Sequence, residues 1–212
     1  MYQFIDPANV VTLLGLWLGL GTALAAAVGR LELALGALVA AGVADLLDGL
    51  VARRMGRTRS EEARRFGARL DSLADACSFG MAPALLLHAA LPGLAGWGIP
   101  LLLLTCAVWR LAYFDTVGLA GEGQARYYIG LPTTYAALFF PLAGLSGHWG
   151  PEFLRAMLLG TGIVLAALMV TPIRIRKPWG PWYPALFTLA AVLLGTYAWL
   201  GIRGGFAGAL SG

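Results

Sequence analysis

Two apolar segments with acidic residues at their facing ends constrain this chain more than any other feature. The first segment carries Asp45 and Asp48, the second carries Asp71 and Asp75, and a run of arginines separates them. Ionisable side chains inside membrane segments are costly, so they are rare there and mark functional sites. Any fold of this chain therefore has to bring these carboxylates to a cation, a reacting group, or both.

The surrounding chain is apolar along its whole length. Hydrophobic residues make up 59% of the 212 residues and charged residues 12%, about half the charged fraction of a soluble domain. The sequence predicts an all-α integral membrane protein, a bundle with seven candidate transmembrane helices. No soluble domain fits beside it, so 1–212 is expected to form one membrane domain. The spans are predicted at 8–29, 32–54, 66–90, 97–117, 129–146, 152–171 and 183–202.

Basic residues are unequally divided between the two faces that seven spans would create. Three arginines fall at the face opposite the acids, and all other basic residues fall at the acidic face. Because cytoplasmic loops are rich in Lys and Arg, the acids and the N-terminus are expected in the cytoplasm and the C-terminus outside. This predicts a multi-pass protein of the inner (cytoplasmic) cell membrane, in contact with lipids and without a nucleic-acid partner. Topogenic charge against lipid headgroups is the simplest role for the basic run.

Helical spacing brings the four acids together. Asp45 and Asp48 share one helix face, as do Asp71 and Asp75, and the two helices run in opposite directions from one turn. Four carboxylates in one pocket repel each other unless cations or protons intervene. Mg²⁺ or Mn²⁺ prefers such oxygens, and two ions side by side can hold a diphosphate. The alternative is a set of helix-end acids paired with nearby arginines.

The motif Asp45-x-x-Asp48-Gly49-x-x-Ala52-Arg53, then Gly67-x-x-x-Asp71-x-x-x-Asp75, resembles the signature of the CDP-alcohol phosphatidyltransferase family. The resemblance implies a six-helix core, usually a homodimer, with a cavity open to the bilayer. It implies a metal centre in which Asp45, Asp48 and Asp71 hold two divalent cations, Mg²⁺ or Mn²⁺. Asp75, beside these metals, would be the general base. The CDP moiety would lie against Asp48, Gly49, Ala52, Arg53, Gly67 and Asp71.

Two further features bear on the nucleotide site. Asn9 and Thr12 resemble a Pro-Asn-x-x-Thr element of family members and are expected to face the nucleotide, although a helix cap is an alternative role for them. Thirteen residues separate Arg53 from Gly67, which is more than the family usually has. This difference is expected to lengthen the cytoplasmic ends of both helices.

The sequence after the motif bears on the acceptor alcohol. The run from Leu70 through Ala84 is similar to the LDSLAD-x-x-SFG-x-AP element of bacterial phosphatidylserine synthases. Two more of their elements are resembled by Arg110-Leu111-Ala112-Tyr113-Phe114-Asp115 and by Tyr127-Tyr128-Ile129-Gly130-Leu131-Pro132. Tyr113 stands where Arg is common, and Asp115 where Asn is common. Serine is therefore the expected acceptor. The differences at Tyr113 and Asp115 are the ones that could give the site a different acceptor.

Serine carries a carboxylate and an ammonium, so its pocket needs one cation and one anion. Arg110 is predicted to bind the carboxylate, and Asp115 or Glu122 the ammonium. A topogenic helix-end charge is the competing role for Arg110. Ser78 would shape the acceptor side of the cavity. Arg126, with the later basic strip, would suit a phosphorylated alcohol, although lipid headgroups fit it as well.

The predicted function is transfer of a phosphatidyl group from CDP-diacylglycerol to L-serine, giving phosphatidylserine and CMP. Other acceptors within the same chemistry are inositol phosphate, glycerol phosphate and choline. A membrane prenyltransferase also uses acids and Mg²⁺ on a diphosphate, but it gives no reason for Gly49-x-x-Ala52-Arg53. A divalent-cation transporter would place its acids near the membrane midplane, whereas these lie at one end.

Overall fold

Seven helices and one pair of short strands form the computed structural model, which describes residues 4–55, 60–120, 127–176 and 182–203. Six helices are long and apolar enough to cross a membrane, all except α5. The prediction of an all-α integral membrane protein is confirmed. The helices are α1 Pro7–Ala27, α2 Leu31–Arg54, α3 Glu61–Ala90, α4 Ala95–Val117, α5 Ala136–Gly144, α6 Pro151–Val170 and α7 Trp182–Arg203, and the strands are β1 Tyr127–Ile129 and β2 Arg174–Arg176.

The predicted span 129–146 is not one continuous helix. Its first residues belong to β1, and α5 is flanked by tight 3₁₀ turns at Thr133–Tyr135 and Leu145–Trp149. Pro132 precedes the first turn and glycines interrupt the second, and both residue types disfavour an α-helix. Because 3₁₀ turns rise about 2.0 Å per residue, residues 133–149 extend roughly 30 Å, which is still about the thickness of the hydrocarbon core.

Helix α3 departs from its predicted bounds at one end and from regular geometry in its middle. It begins at Glu61, where Ser60 caps it by accepting a hydrogen bond from the Ala63 amide at 3.1 Å, not at residue 66. Helix α2 ends at Arg54, as predicted. Helix α3 is therefore longer at this end than predicted, and the expected lengthening of both helices relative to the family stays a prediction. Directly after Asp75, the residues Ala76–Met81 form a wide π turn, a feature often found at functional sites.

The closely packed core lies in the half of the bundle away from the acids. Fully buried side chains from α2, α3, α4, α5 and α6 meet there, namely Leu31, Leu35, Leu38, Leu86, Leu87, Leu103, Phe140, Leu154 and Leu158. This half carries the apolar burial that stabilises the bundle. The half that contains the acids encloses a cavity instead.

Helix α7 lies against α2 and is anchored at its C-terminal half. Tyr197 is 1% exposed, and its hydroxyl donates a hydrogen bond to the Pro141 carbonyl of α5. A Cβ atom at Gly144 would lie 2.6 Å from the Tyr197 hydroxyl, so only glycine permits this approach. The N-terminal half of α7 faces the cavity.

The strands join two loops at the acidic end of the bundle. They are antiparallel, with Tyr128 opposite Ile175. Gly130 follows with φ +77°, and a Cβ there would lie 2.4 Å from the Met169 carbonyl oxygen. The Leu131 amide donates to the Leu168 carbonyl at 3.0 Å. These contacts fix Tyr128 at the wall of the cavity.

Candidate active site

Three carboxylates from two helices meet at one point. One oxygen from each of Asp45 and Asp48 on α2 and Asp71 on α3 lies within 4.8 Å of the others. Oxygens this close together could approach one divalent cation. The donor set is all carboxylate, which suits a hard divalent cation. The residues present therefore fit the implied metal.

Helix α1 supports this group through Thr12. Its hydroxyl donates a hydrogen bond to Asp48 Oδ2 at 2.7 Å, and both side chains are buried. Such a neighbour fixes the orientation of a metal-binding carboxylate. Thr12 therefore lies at the acidic group, and its expected contact with the nucleotide stays a prediction.

Asp75 lies one helical turn further along α3 than Asp71. A small cleft joins the two, lined by all four aspartates together with Thr12, Ser78 and Phe79. The π turn begins at the next residue, so Asp75 is the last acid on the regular part of the helix. It is thus close to the three carboxylates but is not one of the group within 4.8 Å.

A cavity of about 340 Å³ opens beside the carboxylates. One end is polar, formed by Asp45, Asp48, Gly49, Arg53 and Asp71. The other end is apolar, and α2, α5 and α7 contribute Val39, Leu138, Leu186, Ala190 and Leu193 to it. The cavity is therefore amphipathic, and it suits a ligand with an anionic head and a hydrocarbon chain.

Arg53 lies at the polar end of this cavity and is fixed by α7. Its Nη2 donates a hydrogen bond to the Tyr183 hydroxyl at 3.1 Å, and the guanidinium lies 5.4 Å from the Tyr183 ring centre. Tyr183 itself lines the cavity. The position predicted for CDP contact thus has a partner that the sequence did not indicate.

Arg110 is buried, not a helix-end surface charge. It is 5% exposed, and its guanidinium lies 5.0 Å from the Phe114 ring centre and 5.5 Å from that of Tyr128. Its Nε and Nη2 atoms are buried and have no hydrogen-bond partner among the residues that the structure describes. These two atoms form the edge of a guanidinium that binds a carboxylate with two parallel bonds, and unpaired buried donors of this kind are costly.

Tyr128 and Phe114 line the cavity. Tyr128 lies between the cavity and Arg110. Burial raises the pKa of its hydroxyl to about 12. Tyr128 is therefore a neutral phenol throughout the physiological pH range. It offers a hydroxyl at the wall nearest to Arg110.

Asp115 has partners on α3. Ser72 donates a hydrogen bond to its Oδ1 at 2.7 Å, and Arg69 Nη1 lies 3.5 Å from its Oδ2. Asp115 therefore links α4 to α3 on the side of the bundle where Asp71 lies. An asparagine here would keep the Ser72 contact but lose the ionic contact with Arg69.

The other predicted site residues lie at varying distances from this centre. Ser78 is buried in the cleft, and its hydroxyl is 3.4 Å from the Gly15 carbonyl. The Asn9 side-chain amide donates to the Phe4 carbonyl at 2.8 Å, and its backbone amide is capped by Asp6. Asn9 thus takes part in the start of α1, as the alternative proposed. Ala52 and Gly67 are half-buried and outside the cavity lining. Arg126 and Glu122 lie outside the described residues.

Sequence reasoning assigned no role to several cavity residues, among them Tyr128 and Tyr183. Tyr128 was part of a recognised element but carried no assigned role, because strand pairing with residues far along the chain places it. Tyr183 was interpreted only as part of a span. An aromatic residue at the start of a membrane helix ordinarily indicates an interfacial position, which concealed its contact with Arg53.

Comparison with known proteins agrees with this geometry. A model of the CDP-alcohol phosphatidyltransferase family matches residues 6–173. The CDP-diacylglycerol–serine O-phosphatidyltransferase of Mycobacterium tuberculosis is 33% identical over 146 residues, which are 63% of this chain and 49% of that protein. The archaetidylserine synthase of Methanothermobacter thermautotrophicus is 31% identical over 178 residues, 82% and 71% of the two chains. The chain thus spans about half the length of the mycobacterial relative.

Proposed function

The chain belongs to the CDP-alcohol phosphatidyltransferase family, and from that premise we propose that it transfers a phosphatidyl group from CDP-diacylglycerol to L-serine. The observation that carries this proposal is the group of three carboxylates at the polar end of an amphipathic cavity. A diphosphate needs cations beside it, and its diacylglycerol needs an apolar wall. The names of the relatives, serine and archaetidylserine enzymes, support serine as the acceptor.

In this proposal the donor lies along the cavity with its diphosphate at the acids and its lipid chains along α5 and α7. When bound, two Mg²⁺ or Mn²⁺ ions would supply positive charge for the diphosphate and the departing CMP. Asp45, Asp48 and Asp71 would hold them. Arg53 would contribute a further cation at the same end, and the small surface of Gly49 would admit the nucleotide.

Asp75 is the proposed general base. The serine hydroxyl oxygen attacks the phosphorus that bears the diacylglycerol, and the bond from that phosphorus to the CMP oxygen breaks. The hydroxyl proton passes to Asp75, which lies in the cleft beside the other acids. A positioned base of this kind contributes a rate factor of about 10² to 10⁴.

Arg110 and Asp115 are the proposed acceptor contacts. The unpaired Nε and Nη2 edge of Arg110 matches the geometry of the serine carboxylate. The Asp115 carboxylate already accepts from Ser72, but a carboxylate has about four acceptor sites, so it can also accept from the serine ammonium. Movement of Tyr128 or Phe114, which cover Arg110, would open the contact.

The proposal includes a location and an assembly. The protein would lie in the inner membrane with its acidic end on the cytoplasmic side, because the described basic residues concentrate at that end. A homodimer is the expected assembly from the family resemblance.

The decisive experiment measures CMP release from CDP-diacylglycerol by the purified protein in lipid nanodiscs. Serine, inositol phosphate, glycerol phosphate and choline are supplied separately, and the lipid product is identified by mass spectrometry. We expect phosphatidylserine and CMP in equal amounts with serine alone. CMP release with a different alcohol would refute serine as the acceptor but keep the phosphatidyl-transfer reaction. Ion flux without CMP release would refute the acceptor and the reaction.

A further inference from the structure

The start of α7 carries a residue whose position bears on donor binding. We infer that Tyr183 is a positioning residue that holds Arg53 for the nucleotide diphosphate of the donor. This inference rests on the proposed function, and it extends the binding site beyond residues 6–173, the part matched by the family model. Helix α7 begins after that part, at Trp182.

Two separate contacts join Tyr183 to Arg53. The hydroxyl accepts a hydrogen bond from Nη2 at 3.1 Å, and the ring lies 5.4 Å from the centre of the guanidinium. The bond fixes the direction of the guanidinium plane, and the ring attracts its charge. An arginine side chain otherwise loses much rotamer freedom when it binds a ligand.

Arg53 retains donors for a ligand after this contact. A guanidinium has five N–H donors in a fixed plane, and the contact with Tyr183 uses one of them on Nη2. Both residues line the polar end of the cavity, next to Asp48 and Gly49. The remaining donors are therefore held where an anionic diphosphate would lie beside the carboxylates.

The rest of α7 keeps Tyr183 in place. Further along the helix, Tyr197 donates to the Pro141 carbonyl, and a Cβ atom at Gly36 of α2 would lie 3.3 Å from the Tyr197 Cβ. Leu193 is 3% exposed. This packing fixes the axis of α7, so the position of Tyr183 does not depend on Arg53.

The test compares Tyr183→Phe, which keeps the ring and removes the hydroxyl, with Tyr183→Leu, which removes both. We expect the KM for CDP-diacylglycerol to rise about threefold to tenfold in Tyr183→Phe, the range for one lost hydrogen bond, and further in Tyr183→Leu. The kcat at saturating donor and the KM for serine should stay unchanged. The affinity for CDP with Mg²⁺, measured by calorimetry without lipid or turnover, should fall by the same factor.

Coupling to Arg53 distinguishes this role from simple packing. In an Arg53→Ala background, Tyr183→Phe should have no further effect on either measurement. Tyr197→Phe is the same change on the same helix. It should lower thermal stability, and its effects on KM and CDP affinity should simply add to those of Arg53→Ala. Equal effects of Tyr183→Phe in both backgrounds, or an unchanged CDP affinity, would overturn the inference. A wild-type protein that binds CDP but releases no CMP would refute the proposed function alone.

Discussion

The proposed donor side of the cavity and the proposed acceptor side next to it are built in opposite ways. On the donor side, acids from two consecutive helices meet at one point, and an exposed arginine is held by a hydroxyl. On the acceptor side, a buried arginine lies under two aromatic rings with two donor atoms unpaired. If the proposed roles hold, ions and ligand would complete the donor side, whereas the acceptor side already contains a buried cation.

The strongest test of the donor side replaces one of its acids. Asp71→Asn removes a charge from the group that would hold the cations, and several kcal/mol of charge stabilisation would be lost, so we expect CMP release to fall on the order of 10⁴-fold. Rates are measured with Mg²⁺ and Mn²⁺ titrated after EDTA treatment. If Asp71→Asn without added metal were about as active as the wild type, the proposed donor side would not depend on bound cations, and the contrast with the acceptor side would be lost.

The next largest effect separates chemistry from binding. Asp75→Asn keeps the shape of the side chain but cannot accept the serine proton, so turnover should fall about 10³-fold. Binding of CDP-diacylglycerol, measured by fluorescence or calorimetry, should change little. Full turnover in this variant would exclude Asp75 as the base.

The acceptor side is tested through the carboxylate of serine. Arg110→Ala removes two charge-assisted hydrogen bonds to this group, so the KM for serine should rise about 100-fold. The affinity for CDP with Mg²⁺, measured by calorimetry, should be retained, which also shows that the variant is folded. Arg65→Ala is the control, because Arg65 is exposed and pairs with Glu61. An unchanged KM for serine would refute the assignment of Arg110.

The smallest effect concerns the support of the donor side by α1. Thr12→Val removes the hydrogen bond to Asp48, so the apparent affinity for the activating cation should fall about tenfold. Thr22→Val is a matched control on the same helix, because the buried Thr22 hydroxyl bonds only to the Leu18 carbonyl among the described contacts. Equal cation affinity in the two variants would show that Thr12 does not support cation binding through Asp48.

The meeting of the three carboxylates could be predicted from the sequence, whereas the burial of Arg110 could not. Asp45, Asp48 and Asp71 lie on adjacent helices joined by one turn, so helical spacing alone brings them together. Arg110 is different, because its burial depends on Tyr128, which reaches it through strand pairing with residues near 175. The same pairing explains why the predicted fifth span began too early. Local apolar patterns do not reveal contacts between residues this far apart in the chain.

The strand pair also bears on the order in which the protein assembles. The acids of α2 and α3 can meet as soon as these two helices have left the ribosome and entered the membrane, since folding proceeds from the N-terminus during synthesis. Strand β1 has to wait for β2, which is made only after α5 and α6. The cover over Arg110 is thus completed late, and α7 later still, so a nascent chain would bring its three carboxylates together before it could enclose Arg110.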